Sequence, residues 1–183
     1  MGLQKFHDQQ HYELADIGVL DGPPIKAFDH ITALAAASLV ARSVAFFVAD
    51  ESTQSLIVRS SSALPSISDR PLNLPLPQSL TRLVRAENRA VEIGGPSGEV
   101  PVENAVELGR FLMESFLGVP VLGPAGEPIG ALAAMYPGQH AWTREQRERL
   151  ELFAYLLHQQ ILLRAALETL RLMAQERGDA RLT

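Results

Sequence analysis

Few groups in this sequence have the chemistry to bind or react, and histidine dominates them. His7 and His11 stand four residues apart, a spacing that turns two imidazoles toward one metal ion on a helix face. No third ligand lies near them in sequence, so a solvated helix face is the simpler reading. His30 follows Asp29 in an apolar helical stretch, which suits a hydrogen-bonded structural role better than acid–base work. His140, after Pro137-Gly138-Gln139, and His158, inside a long helical pattern, are the residues able to ligate a haem iron; an axial ligand needs an apolar cavity around it, whereas both belong to elements expected at a surface or an interface. Gly94-Gly95-Pro96-Ser97-Gly98 lacks the lysine of a phosphate-binding loop and reads as a flexible connection. No Ser-His-Asp order, cleft-flanking carboxylate pair or GxGxxG is present. Without cysteine there is no disulfide, thiolate metal site, thiol nucleophile or thioether anchor for a chromophore. These absences predict a protein that is not an enzyme.

The chain must still fold around something. Its 183 residues, 46% hydrophobic and 20% charged, suit one core with helical extensions. A formal charge of −5 opposes non-specific binding to phosphate backbones, so nucleic acid is not an expected partner. The opening MGLQKFHDQQHYEL has no apolar signal-peptide core and no uncharged run approaches a membrane span, which predicts a cytoplasmic protein without a membrane segment.

Periodicity assigns the elements that would position any site. Residues 8–18 carry a short helical pattern that Gly18 ends, and 25–41 a core helix through Phe28, Ile31, Leu34, Ala35 and Leu39. Ser43 to Ala49 and Gln54 to Ser62 form a hairpin across Asp50-Glu51-Ser52-Thr53, the second strand alternating imperfectly as an edge strand does. Prolines 65, 71, 75 and 77 make 63–77 a loop. A helix over 76–87, a short strand over 89–93 and a second helix over 102–113 follow. Ser115–Leu122 and Pro128–Tyr136, joined by Gly123-Pro124-Ala125-Gly126-Glu127, are the clearest strand pair. Thr143 and Gln146 then make a capping box that opens a helix running to about 175.

The order of these elements, with Leu14-Ala15-Asp16-Ile17-Gly18-Val19-Leu20-Asp21-Gly22-Pro23-Pro24 at the entry, resembles a GAF domain of the bacterial signal-transduction type. So do Phe116-Leu117-Gly118-Val119-Pro120-Val121, Gly126-Glu127-Pro128-Ile129-Gly130-Ala131-Leu132 and Trp142-Thr143-Arg144-Glu145-Gln146. The resemblance implies an α/β fold of the layered α+β kind. A central antiparallel sheet would carry the terminal helices on one face and a variable loop and helix region over a pocket on the other. It implies a single domain over 1–183, with its core at about 12–165 and a signalling helix and frayed tail at 166–183. Members that attach bilins, and members that reduce free methionine sulfoxide, use cysteine, so both readings fail here. The Asn-Lys-Phe-Asp-Glu signature of cyclic-nucleotide-binding members is also absent. No cofactor is therefore named: covalent bilin is excluded, and haem has only His140 or His158.

Candidate pocket residues are Phe46, Val48, Leu83, Phe111, Ser115, Leu117, Ala133 and Met135, with Arg110 to orient an anionic ligand; the alternative is that they simply fill a core. In the last helix Leu152, Leu156, Gln159, Leu163, Ala166, Leu170 and Met173 keep a four-three spacing, while Leu150, Phe153, Leu157 and Ile161 lie around the side. One face would pack on the sheet and the other on a partner helix. The resulting expectation is a sensory domain of a bacterial signalling protein. It would bind a small ligand or partner and act as a homodimer on an output domain or partner signalling protein through a coiled coil. A ligand-free dimerisation or docking module is the alternative, and a haem-binding gas or redox sensor the second.

Overall fold

A computed structural model describes residues 14–63, 73–94 and 106–179. Helix α1 (Lys26–Leu39) precedes the hairpin β1 (Ser43–Asp50) and β2 (Ser55–Ser62); β3 (Asn73–Pro75), a 3-10 turn (Leu76–Gln78), α2 (Leu80–Glu87), β4 (Val91–Ile93) and α3 (Val106–Phe111) form the middle; β5 (Ser115–Leu122), β6 (Pro128–Tyr136) and α4 (Arg144–Asp179) close the chain. The strands make one six-stranded sheet in the order β3-β2-β1-β6-β5-β4. Every pairing in it is antiparallel. The mixed α/β fold expected from the sequence is the one observed.

Alternation along the strands sorts side chains to two faces. Val44, Phe46, Val48, Leu117, Val119 and Leu132 pack against α1 and α4. Ala45, Phe47, Phe116, Ala131, Ala133 and Met135 pack against α2, α3 and the 3-10 turn. Each face closes on aromatic contacts: Phe28 meets Phe46 edge-on at 5.3 Å, and Phe47 lies 6.1 Å from Phe111.

Three sequence expectations change here. Strand β2 is interior, flanked by β1 and β3. Its broken alternation comes from a bulge: Phe46 pairs with Ser60 and Phe47 with Val58, which leaves Arg59 as the extra residue. The proline-rich 63–77 holds β3 at the sheet's edge, where missing amide donors cost no ladder bond. The first middle helix begins at Leu80, capped by Ser79, and the second spans Val106–Phe111. Residues 1–13, including His7 and His11, lie outside the described residues, as do 95–105.

Glycine ends the first helical turn as expected, whereas α1 and α3 end on bulky left-handed residues, Val40 and Leu112. Gly18 is left-handed (φ 70°), with Val19 N–H donating to Leu14 O and Gly18 N–H to Ala15 O, both at 2.8 Å. The same double bond closes α1, Ala41 N–H to Ala36 O and Val40 N–H to Ala37 O, but a β-branched valine occupies the left-handed position (φ 53°). Val40 is 76% exposed, so its side chain contributes little packing. Val40→Gly is therefore expected to raise stability by about 1 kcal/mol. The check is the chemical denaturation midpoint, and an unchanged or lower midpoint would refute the strain.

Candidate functional site

The nine residues expected to line a pocket do not share a face. Leu83, Phe111, Ala133 and Met135 belong to the core beneath α2 and α3. Phe46, Val48 and Leu117 point the other way, into the core beneath α1 and α4. Arg110 is exposed. Ser115 is a buried staple: its hydroxyl accepts from His140 N–H at 2.8 Å and lies 3.0 Å from Gly94 O and 2.7 Å from Gly138 O. Seven of the nine are buried, Leu83 is half-buried and Arg110 exposed, and period-two alternation divides the strand residues between layers.

On the α2–α3 face Glu107 is the one buried carboxylate among the described residues. It crosses from α3 to the start of α2 and accepts from Leu80 N–H at 2.8 Å and Thr81 N–H at 3.0 Å. Burial pushes its pKa above the ordinary carboxylate range, while those two amides pull it back. Nothing in the local sequence marks Glu107, because its partners lie more than twenty residues away.

On the opposite face two arginines hold the entry loop. Arg59, aimed there by the β2 bulge, donates to Gly18 O (2.9 Å), Pro23 O (3.2 Å) and Gly22 O (3.3 Å). Arg164 of α4 donates through Nε to Ile17 O at 2.8 Å. Burial pulls the Arg59 pKa down, Asp21 offsets this, and the nearby Arg164 adds to it. The entry loop, β2 and the exit helix are thus joined through backbone carbonyls. Ser60, also turned inward by the bulge, donates to Asp29 Oδ1 at 2.8 Å, so the structural role expected of His30 falls to Asp29 while His30 is exposed.

Helix α4 is fixed at its start and diverges at its end. Thr143 Oγ1 accepts from Gln146 N–H at 3.1 Å and Gln146 Oε1 from Thr143 N–H at 3.0 Å, the capping box read from the sequence. Gln146 Nε2 also donates to Leu39 O at 3.1 Å, tying the cap to α1. His140 stacks on Tyr136 at 4.8 Å and meets Trp142 edge-on at 4.5 Å, so its ring is packed between aromatic side chains. His158 Nδ1 lies 3.0 Å from Leu122 O; since a carbonyl only accepts, Nδ1 carries the proton.

Leu150, Ala154, Leu157 and Ile161 of α4 are buried against the domain. Across the helix Leu152 (65%), Leu163 (52%) and Leu170 (62%) are exposed, as are Leu156, Ala166 and Met173; Gln159 is half-buried. With Leu156, Leu163 and Leu170 at heptad position a and Leu152, Gln159, Ala166 and Met173 at d, the buried residues fall at b and f, directly opposite.

One cleft of about 440 Å³ lies beside this helix, between α4, β5 and the α2–β4 connection. Among the described residues no helix is long and apolar enough to cross a membrane.

A family model described as GAF domain matches residues 23–161. The chain belongs to the GAF domain family. None of the curated proteins is a detectable sequence relative. This GAF domain superposes on the GAF domain of an Acinetobacter phosphoenolpyruvate-protein phosphotransferase with a TM-score of 0.61 at 18% identity, covering 91% of this chain and 96% of that one. Residues 122 to 287 of a methyl-accepting chemotaxis protein give 0.64 at 17% identity, covering 83% and 92%. The free methionine-R-sulfoxide reductase of Neisseria meningitidis, solved with its substrate, gives 0.59 at 17%, covering 76% and 77%. At these identities the likeness is one of fold alone.

Proposed function

We propose that this GAF domain is a regulatory, non-catalytic module that pairs with a second copy through α4 and passes its state along that helix to an output domain or partner. The observation that carries the reading is the two-sided apolar character of α4. One stripe is used by the domain itself, and the opposite stripe, in four-three register, is left to solvent. Such a seam is self-complementary, because a and d side chains of one helix fill the holes of an identical neighbour. A single helix leaves these leucines wet, and its last turns lack tertiary support.

Against catalysis stands the sequence: the thiol chemistry open to cysteine-bearing relatives is unavailable to a chain without cysteine. A second reading, a pairing module that takes no ligand between the sheet and its middle helices, is favoured by the close aromatic packing of Phe47 with Phe111 on that face.

Analytical ultracentrifugation tests the pairing. The chain is expected to sediment as a dimer, and Leu156→Glu with Leu163→Glu as a folded monomer, since two charges in an apolar seam meet like charges across it. A monomeric parent chain at micromolar concentration overturns the proposal. Gln159→Leu, which replaces the polar d residue, is expected to tighten the dimer.

A further inference from the structure

We infer that the cleft beside α4 is a binding site for a small apolar zwitterion, of which an apolar α-amino acid is the simplest form. This rests on the reading of α4 as the output helix, and it adds a place where a ligand touches that helix directly. The cleft, about 440 Å³, is of the size that holds small ligands. Its apolar lining comes from Val119, Pro120 and Leu122 of β5 and Ala154 of α4. Its polar lining is oppositely charged: Arg89 comes from the α2–β4 connection and Glu151 from α4, with Tyr155 and His158 one and two turns along the helix from Glu151.

The charges decide the ligand class. Arg89 spends one nitrogen on Glu87 at 2.7 Å and is otherwise close only to Ala90 O at 3.5 Å, which leaves guanidinium donors for a carboxylate. Glu151 feels the charge of Arg147 one turn earlier, but the Arg147 guanidinium makes its close ion pair with Glu92 at 2.8 Å, so the Glu151 carboxylate still suits an ammonium group. His158, with its Nδ1 proton committed to Leu122 O, presents Nε2 as an acceptor, which also suits an N–H donor. A simple anion would meet the Glu151 carboxylate and a simple cation the Arg89 guanidinium; a zwitterion answers both. Its apolar side chain would cover Val119, Pro120 and Ala154. Tyr155, on the cleft wall, stands at heptad position g, beside the proposed dimer seam, so an occupied cleft presses on the residues that set helix pairing.

Isothermal titration with L-leucine, L-phenylalanine, leucinamide and 4-methylpentanoate, run beside the dimer mass of the same samples, tests the site. One amino acid is expected to bind per chain, with leucinamide and 4-methylpentanoate each weaker by about ten-fold or more, and Arg89→Gln and Glu151→Gln each losing a similar factor for the amino acid. Both substituted residues line an open cleft and leave the core intact. No heat from either amino acid up to millimolar concentration overturns the site, as does equal binding of the two single-charge probes. A dimer without binding overturns this site alone; binding without a dimer overturns the pairing of α4 and leaves the site standing.

Discussion

Gly130→Ala is expected to lower the stability of the fold by about 3 kcal/mol or more, a large share of what a domain of this size has. Gly130 lies in β6 between its two neighbours, opposite Val48 of β1 and Val121 of β5. A Cβ there would overlap the carbonyl oxygen of Phe47 and sit 3.0 Å from both the Phe47 carbonyl carbon and Val48 Cα. Backbone cannot rotate away as a side chain can, so the β1–β6 ladder must open to admit one methyl group. That ladder joins the two hairpins, and the loss falls on the centre of the sheet. Urea denaturation of parent and variant measures it. A variant within 1 kcal/mol of the parent, about the ordinary cost of a tolerated substitution, would show that the strands can separate there cheaply.

Glu107→Ala is expected to cost about 3 kcal/mol by a different route, leaving the amides of Leu80 and Thr81 without an acceptor in a dry setting. Both of those residues are fully buried. The companion Glu107→Gln removes the ionisation and keeps one acceptor oxygen, so one of the two amides stays bonded while the other faces an NH2 donor. Because burial raises the folded-state pKa of Glu107, its contribution is fully present below the ordinary carboxylate pKa and is lost as pH rises through the folded value. The stability of the parent relative to Glu107→Gln should therefore fall as the pH is raised above the ordinary carboxylate pKa, and stop falling once the buried carboxyl has ionised. Parallel pH profiles for the two proteins would remove the claim that this carboxylate is strained by its surroundings.

What the sequence made legible was set locally. The capping box at Thr143 and Gln146, the Gly18 stop and the hairpin around Gly126 are written in residues three to five apart, and the structure has all three. The stripe on α4 was legible because a 3.6-residue period carries burial in its spacing. The candidate pocket was less so, since apolar type marks Phe46 and Phe111 alike as buried, and only strand register tells which layer each enters. Glu107 and Arg59 were missed for a related reason. Each acts on backbone groups more than twenty residues away, and Arg59 reaches its carbonyls because a bulge adds one residue to β2. The short β3, likewise, depends on an edge that a run of prolines does not advertise.

Arg164 holds α4 to the entry loop, and the helix continues past it through Asp179. That free stretch is a lever about 22 Å long, so a tilt of about 5° at Arg164 carries its tip about 2 Å. A displacement too small to see in the sheet is thus enlarged before it reaches the tip of the helix. Each added heptad would lengthen the arm by about 10 Å with a phase drift of only about 20°, whereas one inserted residue would swing the tip about 100° around the axis.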